Sequence, residues 1–177
     1  NKYGDRVFDV GIEEEHAVAF AGGLGVSGMH PVFAVYSTFL QRTYDQIFHD
    51  VALQSSPVIF AIDRAGLVAG DGKTHQGLYD CSILSSIPGM EIYSPDSYDE
   101  MKRVFEKLFE RGVMSAVRYP RGAEQSYDRS VYLYCEDESF AASDYGDMKS
   151  GSADITVITY GRVSFEAADA AVSFCNR

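Results

Sequence analysis

The feature that most constrains this chain is a rhythm. Short apolar, β-branched runs at residues 6–10, 29–35, 57–63, 90–93 and 114–119 alternate with stretches whose apolar residues recur every three or four positions. Residues 57–63 read PVIFAID, a nearly unbroken apolar run of the kind that forms a strand covered on both faces. Between the runs, residues 14–24 set Ala17, Val18, Ala21 and Leu24 on one helical stripe. Residues 44–54 do the same with Ile47, Phe48, Val51 and Leu53, and residues 98–111 with Met101, Val104, Phe105 and Leu108. This alternation predicts an α/β fold, an open, doubly wound, mostly parallel sheet with helices on both faces, and it excludes an all-β sandwich and a simple helical bundle.

Local signals set the expected element ends. Gly22, Gly23 and Gly25 are expected to weaken and end the first helix. Asp96 is expected to cap the helix over 98–111, with Asp99 and Glu100 in the turn where the helix dipole favours negative charge. Periodicity fades after residue 122 into an acidic and aromatic stretch holding Asp128, Glu136, Asp137 and Glu138, which reads as a linker over 123–152 interrupted by a short strand at 131–135. A strand at 154–160, Gly161 and a helix at 164–174 then open a second domain over 153–177. The first domain is expected over 1–122, and the lack of an initiator methionine before its first apolar run suggests a piece of a longer protein.

Composition narrows the partners. A formal net charge of −11 with no offsetting basic cluster argues against nucleic acid. Three widely spaced cysteines without a CxxC pair read as reduced thiols in a cytoplasmic protein and not as metal ligands. No apolar run approaches the ~20 residues that span a bilayer, so no membrane partner is expected.

In an open α/β sheet, ligands bind beyond the carboxyl ends of the strands, and four segments fall there. Asp9 to His16 brings three carboxylates, Glu13, Glu14 and Glu15, to a helix start, which reads equally as a surface charge cluster. Tyr36 to Arg42 mixes rings, hydroxyls and a cation. Asp63 to Gly77 is a long glycine-rich loop carrying Arg64, Asp71 and His75, with neither the Walker A nor the GxGxxG spacing. Arg118 to Gly122 supplies two guanidinium groups suited to phosphate, or forms a solvated turn. Together they describe an anionic-ligand site whose reaction the residues alone leave open.

The strings FDVGIEEEHAVAFAGGL, PVFAVYSTFLQRTYDQIFHDVALQ, AIDRAGLVAGDGKTHQGLYD and RYPRG, in this order and spacing, resemble the 1-deoxy-D-xylulose-5-phosphate synthase family of the transketolase-like superfamily over roughly the first 122 residues. The resemblance implies an enzyme that uses thiamine diphosphate and Mg²⁺ to condense pyruvate with D-glyceraldehyde 3-phosphate. Its product would be 1-deoxy-D-xylulose 5-phosphate, made with loss of CO₂ at the head of the non-mevalonate isoprenoid pathway. It further implies that Glu14 is the catalytic glutamate against the cofactor's aminopyrimidine, and that Phe39 stacks on that ring with Ile12 as a further cofactor contact. His75 and Asp71 would stand near the reacting carbon, Tyr36, Arg64 and Arg121 would hold the acceptor phosphate, and Arg42 would contact that phosphate or support the loop. Metal and diphosphate ligands would lie on a separate N-terminal domain, since no GDG-then-Asn motif occurs here. A homodimer is implied, and this chain alone would be inactive. The sequence departs from the family pattern at Glu13 and Glu15, where Ala and Gln are common, and at Lys73, where Pro is frequent. Two other readings remain open: another ketol transferase of the superfamily, or a non-catalytic scaffold domain with the same fold.

Overall fold

A computed structural model describes residues 2–124, 132–135, 145–148 and 159–175. Four strands, β1 (Val32–Tyr36), β2 (Ile59–Asp63), β3 (Glu91–Tyr93) and β4 (Ser115–Arg118), form one parallel sheet in the order β1-β2-β4-β3. Tyr36 pairs with Asp63, Ile62 with Arg118, and Tyr93 with Val117, so the carboxyl ends of all four strands share one edge. That edge is where the strand-end segments converge.

Burial alternates across the sheet as two covered faces require. Phe33, Val35, Phe60, Ile62 and Ala116 face a core shared with Ala17, Val18 and Ala21 of α1 (Glu14–Val26) and with Leu84 of α4 (Asp80–Ser85). Ile59, Val117 and Tyr93 face the opposite way, against Val104 and Leu108 of α5 (Tyr98–Arg111). Each fully buried Leu, Ile or Phe in these layers contributes about 1.5–3 kcal/mol through apolar burial. The expected doubly wound fold is therefore present. Among the described residues, no helix is long and apolar enough to cross a membrane.

Five local expectations change. Residues 6–10 form no strand: a 3-10 turn (Gly4–Arg6) leads into irregular backbone, with Val7 62% and Phe8 60% exposed. Strand-forming side chains do not make a strand without a neighbour to receive its backbone hydrogen bonds, and Phe8 instead meets Phe20 edge-on at 5.2 Å. The single helix expected over 44–54 is a broken run that starts earlier. It passes through α2 (Ser37–Leu40), a 3-10 turn (Gln41–Thr43), α3 (Tyr44–Gln46) and a π-helix (Ile47–Ala52). The wider π turn shifts the stripe, so Ile47 and Val51 are buried while Leu53 is 64% exposed. The cap of α5 is Ser97, whose hydroxyl accepts the Glu100 N–H, while the Glu100 carboxylate accepts the N–H of Asp96.

The glycines of α1 do not end it, because the helix runs through them to Val26. A Cβ on Gly22 would lie 2.6 Å from the Asp50 carbonyl oxygen, and one on Gly25 would lie 2.1 Å from Ser56 Oγ. Close packing of α1 on the π-helix at Gly22 and on the Ser56–Pro57 segment at Gly25 therefore requires them, whereas Gly23 is exposed with open space around it. Gly22→Ala is expected to destabilise by about 1–3 kcal/mol through overpacking. Gly23→Ala is expected to stabilise by about 0.5–1 kcal/mol through helix propensity. Urea denaturation of the two variants side by side checks the difference in sign.

The fifth change lies in the expected linker. β5 (Tyr132–Cys135) matches the short strand anticipated there, but it pairs antiparallel with an unanticipated β6 (Tyr145–Met148). Of the strand expected at 154–160, residues 154–158 lie outside the described residues, and Thr159 and Tyr160 are irregular. The following helix is α6 (Val163–Cys175), with Phe165 and Ala168 buried.

One ion pair fixes the end of α5 to the sheet. Arg111 donates Nη1 and Nη2 to the two carboxylate oxygens of Glu91 at 2.7 and 2.6 Å, and also reaches the Tyr93 hydroxyl. The Arg111 hydrogen bonds hold the Glu91 carboxyl below the usual carboxylate range, while burial, with Glu91 beside it, pushes the Tyr93 phenol up to about 12. A carboxyl with a depressed folded-state pKa stabilises fully above its unfolded value of ~4.3, and this contribution is lost as pH falls through the folded value. Glu91→Gln is thus expected to be less stable than the parent at neutral pH and to converge with it in acid. Denaturation midpoints measured across that range test this.

Candidate functional site

The site is built where β1, β2 and β4 end. β1 delivers Tyr36, and the immediate start of α2 places Phe39 one helical turn on, with the two rings stacked at 6.1 Å. The His75 ring meets Phe39 edge-on at 5.3 Å, and the Arg42 guanidinium lies 5.1 Å from the same ring. Phe39 is therefore a partly buried aromatic surface flanked by a cation, an imidazole and a phenol.

Glu14 opens α1 beside this cluster. Its Oε2 accepts Arg42 Nη1 at 2.9 Å, and its side chain is 13% exposed. Oε1 has no partner among the described residues, which leaves a sheltered carboxylate oxygen open to a ligand donor. Glu13 and Glu15 face solvent. Ile12 is 84% exposed and is not brought into contact with the cluster.

The glycine-rich loop is closed at its neck by reciprocal backbone hydrogen bonds between Gly66 and Gly77, both at 2.8 Å. Gly77 has no substitute there, because a Cβ would stand 2.2 Å from the Arg64 carbonyl oxygen. Inside the loop, Gln76 bonds the Val68 N–H at 2.8 Å and the carbonyls of Val68 and Gly72. Thr38 Oγ1 donates to the Thr74 carbonyl at 3.0 Å, tying α2 to the loop next to His75. Thr74 Oγ1 and His75 Nδ1 are 2.8 Å apart, which leaves Nε2 as the outward nitrogen of the imidazole.

Asp71 gathers the cations. Its Oδ2 accepts Arg64 Nε at 2.9 Å, and its Oδ1 accepts Arg121 Nη1. Arg64 also bonds Asp63 Oδ2 through Nη1 at 2.5 Å, and its guanidinium carbon sits 3.7 Å from the centre of the Tyr36 ring. Burial works against the Arg64 charge, but the Asp71 hydrogen bond and the Asp63 carboxylate outweigh it and raise the guanidinium above its ordinary range. The Arg64 backbone has φ 60°, a left-handed conformation that costs a non-glycine residue about 1–2 kcal/mol. Such strain is characteristic of functional positions, and here it aims the side chain back over Tyr36.

The structure thus brings Glu14, Tyr36, Phe39, Arg42, Arg64, Asp71, His75 and Arg121 into one connected group at the strand ends. Arg118, the other guanidinium of the RYPRG segment, is turned inward. It binds both oxygens of Asp80, which is 1% exposed, at 2.9 and 3.1 Å, and reaches Ser94 Oγ at 3.3 Å. Gln76 and Thr38, absent from the candidate residues above, are two side chains that shape the loop. A polar residue beside a glycine at the end of a long loop was the available signal. Among the described residues, no group of three or more His, Cys, Asp or Glu is placed to hold a metal ion.

Known proteins resemble the chain in both sequence and fold. The family described as transketolase, pyrimidine binding domain, matches residues 1–125. A 1-deoxy-D-xylulose-5-phosphate synthase of Neisseria meningitidis serogroup C is 55% identical over 121 residues, 68% of this chain and 19% of that protein. The same-named protein of Clostridium acetobutylicum is 46% identical over 162 residues, 92% of this chain and 25% of that protein. The chain therefore spans between 19% and 25% of the length of these two relatives. Among solved structures, a split-gene transketolase, an inactive β4 tetramer, gives a TM-score of 0.62 at 20% identity, covering 73% of this chain and 44% of that one. A transketolase from Campylobacter jejuni gives 0.58 at 20% identity, covering 63% and 18%.

Proposed function

Because the chain belongs to the transketolase pyrimidine-binding domain family, we propose that it forms the pyrimidine half of a thiamine-diphosphate site in an enzyme that condenses pyruvate with D-glyceraldehyde 3-phosphate. The product is 1-deoxy-D-xylulose 5-phosphate, released with CO₂. The observation that carries this reading is the juxtaposition of the open Glu14 oxygen with the flanked Phe39 ring. A flat aminopyrimidine offers an aromatic face and ring nitrogens, and an aromatic platform beside a sheltered carboxylate suits both. The identities of 46% and 55% to proteins named as this synthase support the choice of reaction within the family.

In this reading, Glu14 holds a proton against the pyrimidine ring nitrogen, and Arg42 keeps the carboxylate in place through its other oxygen. Thiamine diphosphate, when bound, supplies the electron sink that lets a 2-oxo acid lose CO₂. His75, with Nδ1 engaged by Thr74, presents Nε2 for proton transfer at the acceptor aldehyde. Arg64 and Arg121 offer planar forks to the acceptor phosphate, with Tyr36 supporting Arg64 and Asp71 holding both cations in position. Ile12, exposed and apart from the cluster, would be a further apolar contact for the cofactor. Mg²⁺ and the diphosphate are held by a domain other than this one. The enzyme acts as a cytoplasmic homodimer, and this chain by itself is inactive. Residues 1–122 form the pyrimidine domain, 123–152 connect, and 153–177 begin the next domain.

Product analysis with alternative donors tests the reaction. The intact enzyme is expected to form 1-deoxy-D-xylulose 5-phosphate from pyruvate and D-glyceraldehyde 3-phosphate. Turnover with a ketose phosphate donor and none with pyruvate would instead assign a ketol transferase, and no turnover with either would leave a scaffold domain.

A further inference from the structure

A cleft of about 890 Å³ opens between the glycine-rich loop, the turn after β4 and the start of α6, within the size range of small-molecule sites. Three arginines line it: Arg118, Arg121 and Arg162. Arg118 is committed to Asp80 and Ser94. Arg121 gives Nη1 to Asp71 and keeps its remaining guanidinium nitrogens free of protein partners among the described residues. Arg162 is exposed and forms no ion pair among the described residues, although Glu166 lies on the same wall one helical turn away. Its Nη1 stands 3.9 Å from where a Cβ on Gly122 would lie, next in the chain to Arg121. Gly66, Gly70, Gly122 and Gly161 are the lining positions that add no side chain to these walls.

We infer that Arg162 is a specificity-determining residue that shares the phosphate of the acceptor with Arg121 across this cleft. The inference deepens the proposed function and rests on it. A phosphate dianion accepts from more than one guanidinium fork, and of the three arginines lining the cleft Arg121 and Arg162 are those with uncommitted donors, so Arg162 adds a fork to those of Arg64 and Arg121. Arg162 comes from the segment after the connecting region, so phosphate binding joins that segment to the strand ends of the first domain. An acceptor lacking the phosphate does not make this contact.

The test uses the intact enzyme and its Arg162→Gln and Arg162→Lys forms. Calorimetric titration with inorganic phosphate is combined with kinetics on D-glyceraldehyde 3-phosphate and on unphosphorylated D-glyceraldehyde. Arg162→Gln is expected to weaken phosphate binding and raise the KM for the phosphorylated aldehyde by about tenfold, the loss of roughly one charge-assisted contact. The KM for D-glyceraldehyde is expected to stay within about twofold, with Arg162→Lys intermediate. Equal phosphate affinity in parent and Arg162→Gln, no phosphate binding by the parent, or an equal KM rise for both aldehydes would overturn the assignment. Phosphate binding that depends on Arg162, in an enzyme that forms no product from pyruvate, would uphold the anion site and remove the proposed reaction.

Discussion

Replacing Glu14 by Ala is expected to lower kcat by about 10²–10⁴, the usual worth of a positioned acid–base group and equivalent to about 3–5 kcal/mol of barrier. Stability should barely change. The ion pair that is lost joins Glu14 to Arg42, whose side chain is 45% exposed, and exposed pairs contribute about 0–1 kcal/mol. Glu14→Gln keeps the shape and hydrogen-bonding reach of the side chain but removes its proton-sharing chemistry, so it should be nearly as impaired. Steady-state turnover and urea unfolding of the same preparations separate the two effects. Normal turnover in either variant would remove Glu14 from the chemistry, whereas loss of both turnover and folding in Glu14→Ala would point to a structural role.

The second large effect is expected at a pair that borders the cleft but has no part in the proposed chemistry. Asp80 is 1% exposed, and both its oxygens are occupied by Arg118, whose side chain is 16% exposed. Asp80→Ala leaves a largely buried guanidinium without its counter-charge, which costs about 3–5 kcal/mol. For a chain of this size that corresponds to a fall in Tm of roughly 10 °C. Thermal unfolding of the expressed chain reads it directly. An unchanged Tm would mean that Arg118 finds another partner or water, and that the pair is not the tie between α4 and the end of β4 that the structure describes. The same pair explains why one of two apparently equivalent arginines in RYPRG is unsuited to phosphate: the buried aspartate that claims it lies 38 residues earlier, invisible to any local pattern.

The sheet was legible because burial on both faces leaves a one-dimensional signature. The run at 57–63 and the helical stripes around it are each consequences of a neighbour that must be present. Residues 6–10 show the limit of that inference. Val7, Phe8 and Val10 have strand character, yet strand formation depends on a pairing partner that propensity does not encode. Gly22 and Gly25 show another limit, since a helix breaker and a close-packing glycine look identical until the π-helix and the Ser56–Pro57 segment are in place. Ser97 and Asp96 are equally good caps by type, and the reach of the Glu100 carboxylate decides between them.

The candidate site was legible in its members more than in its wiring. Phe39, Arg64, His75 and Arg121 stand out as polar or aromatic residues after strand ends, and Glu14 as a carboxylate at a helix start although no strand precedes it. That Asp71 bridges two arginines, or that Arg42 pairs with Glu14 across 28 residues, follows only from the folded loop. Arg162 gave no signal, because it lies outside the strings that resemble a known family and follows a glycine at an ordinary helix start.

The central claim is that this chain supplies the pyrimidine half of a thiamine-diphosphate site, and calorimetric titration of the cofactor with Mg²⁺ tests it most directly. The intact enzyme is expected to bind thiamine diphosphate, and Phe39→Ala is expected to weaken binding by about tenfold or more, since stacking on an aromatic side chain is worth about 1–3 kcal/mol. No binding by the intact enzyme, or binding that Phe39→Ala leaves unchanged, would contradict the account.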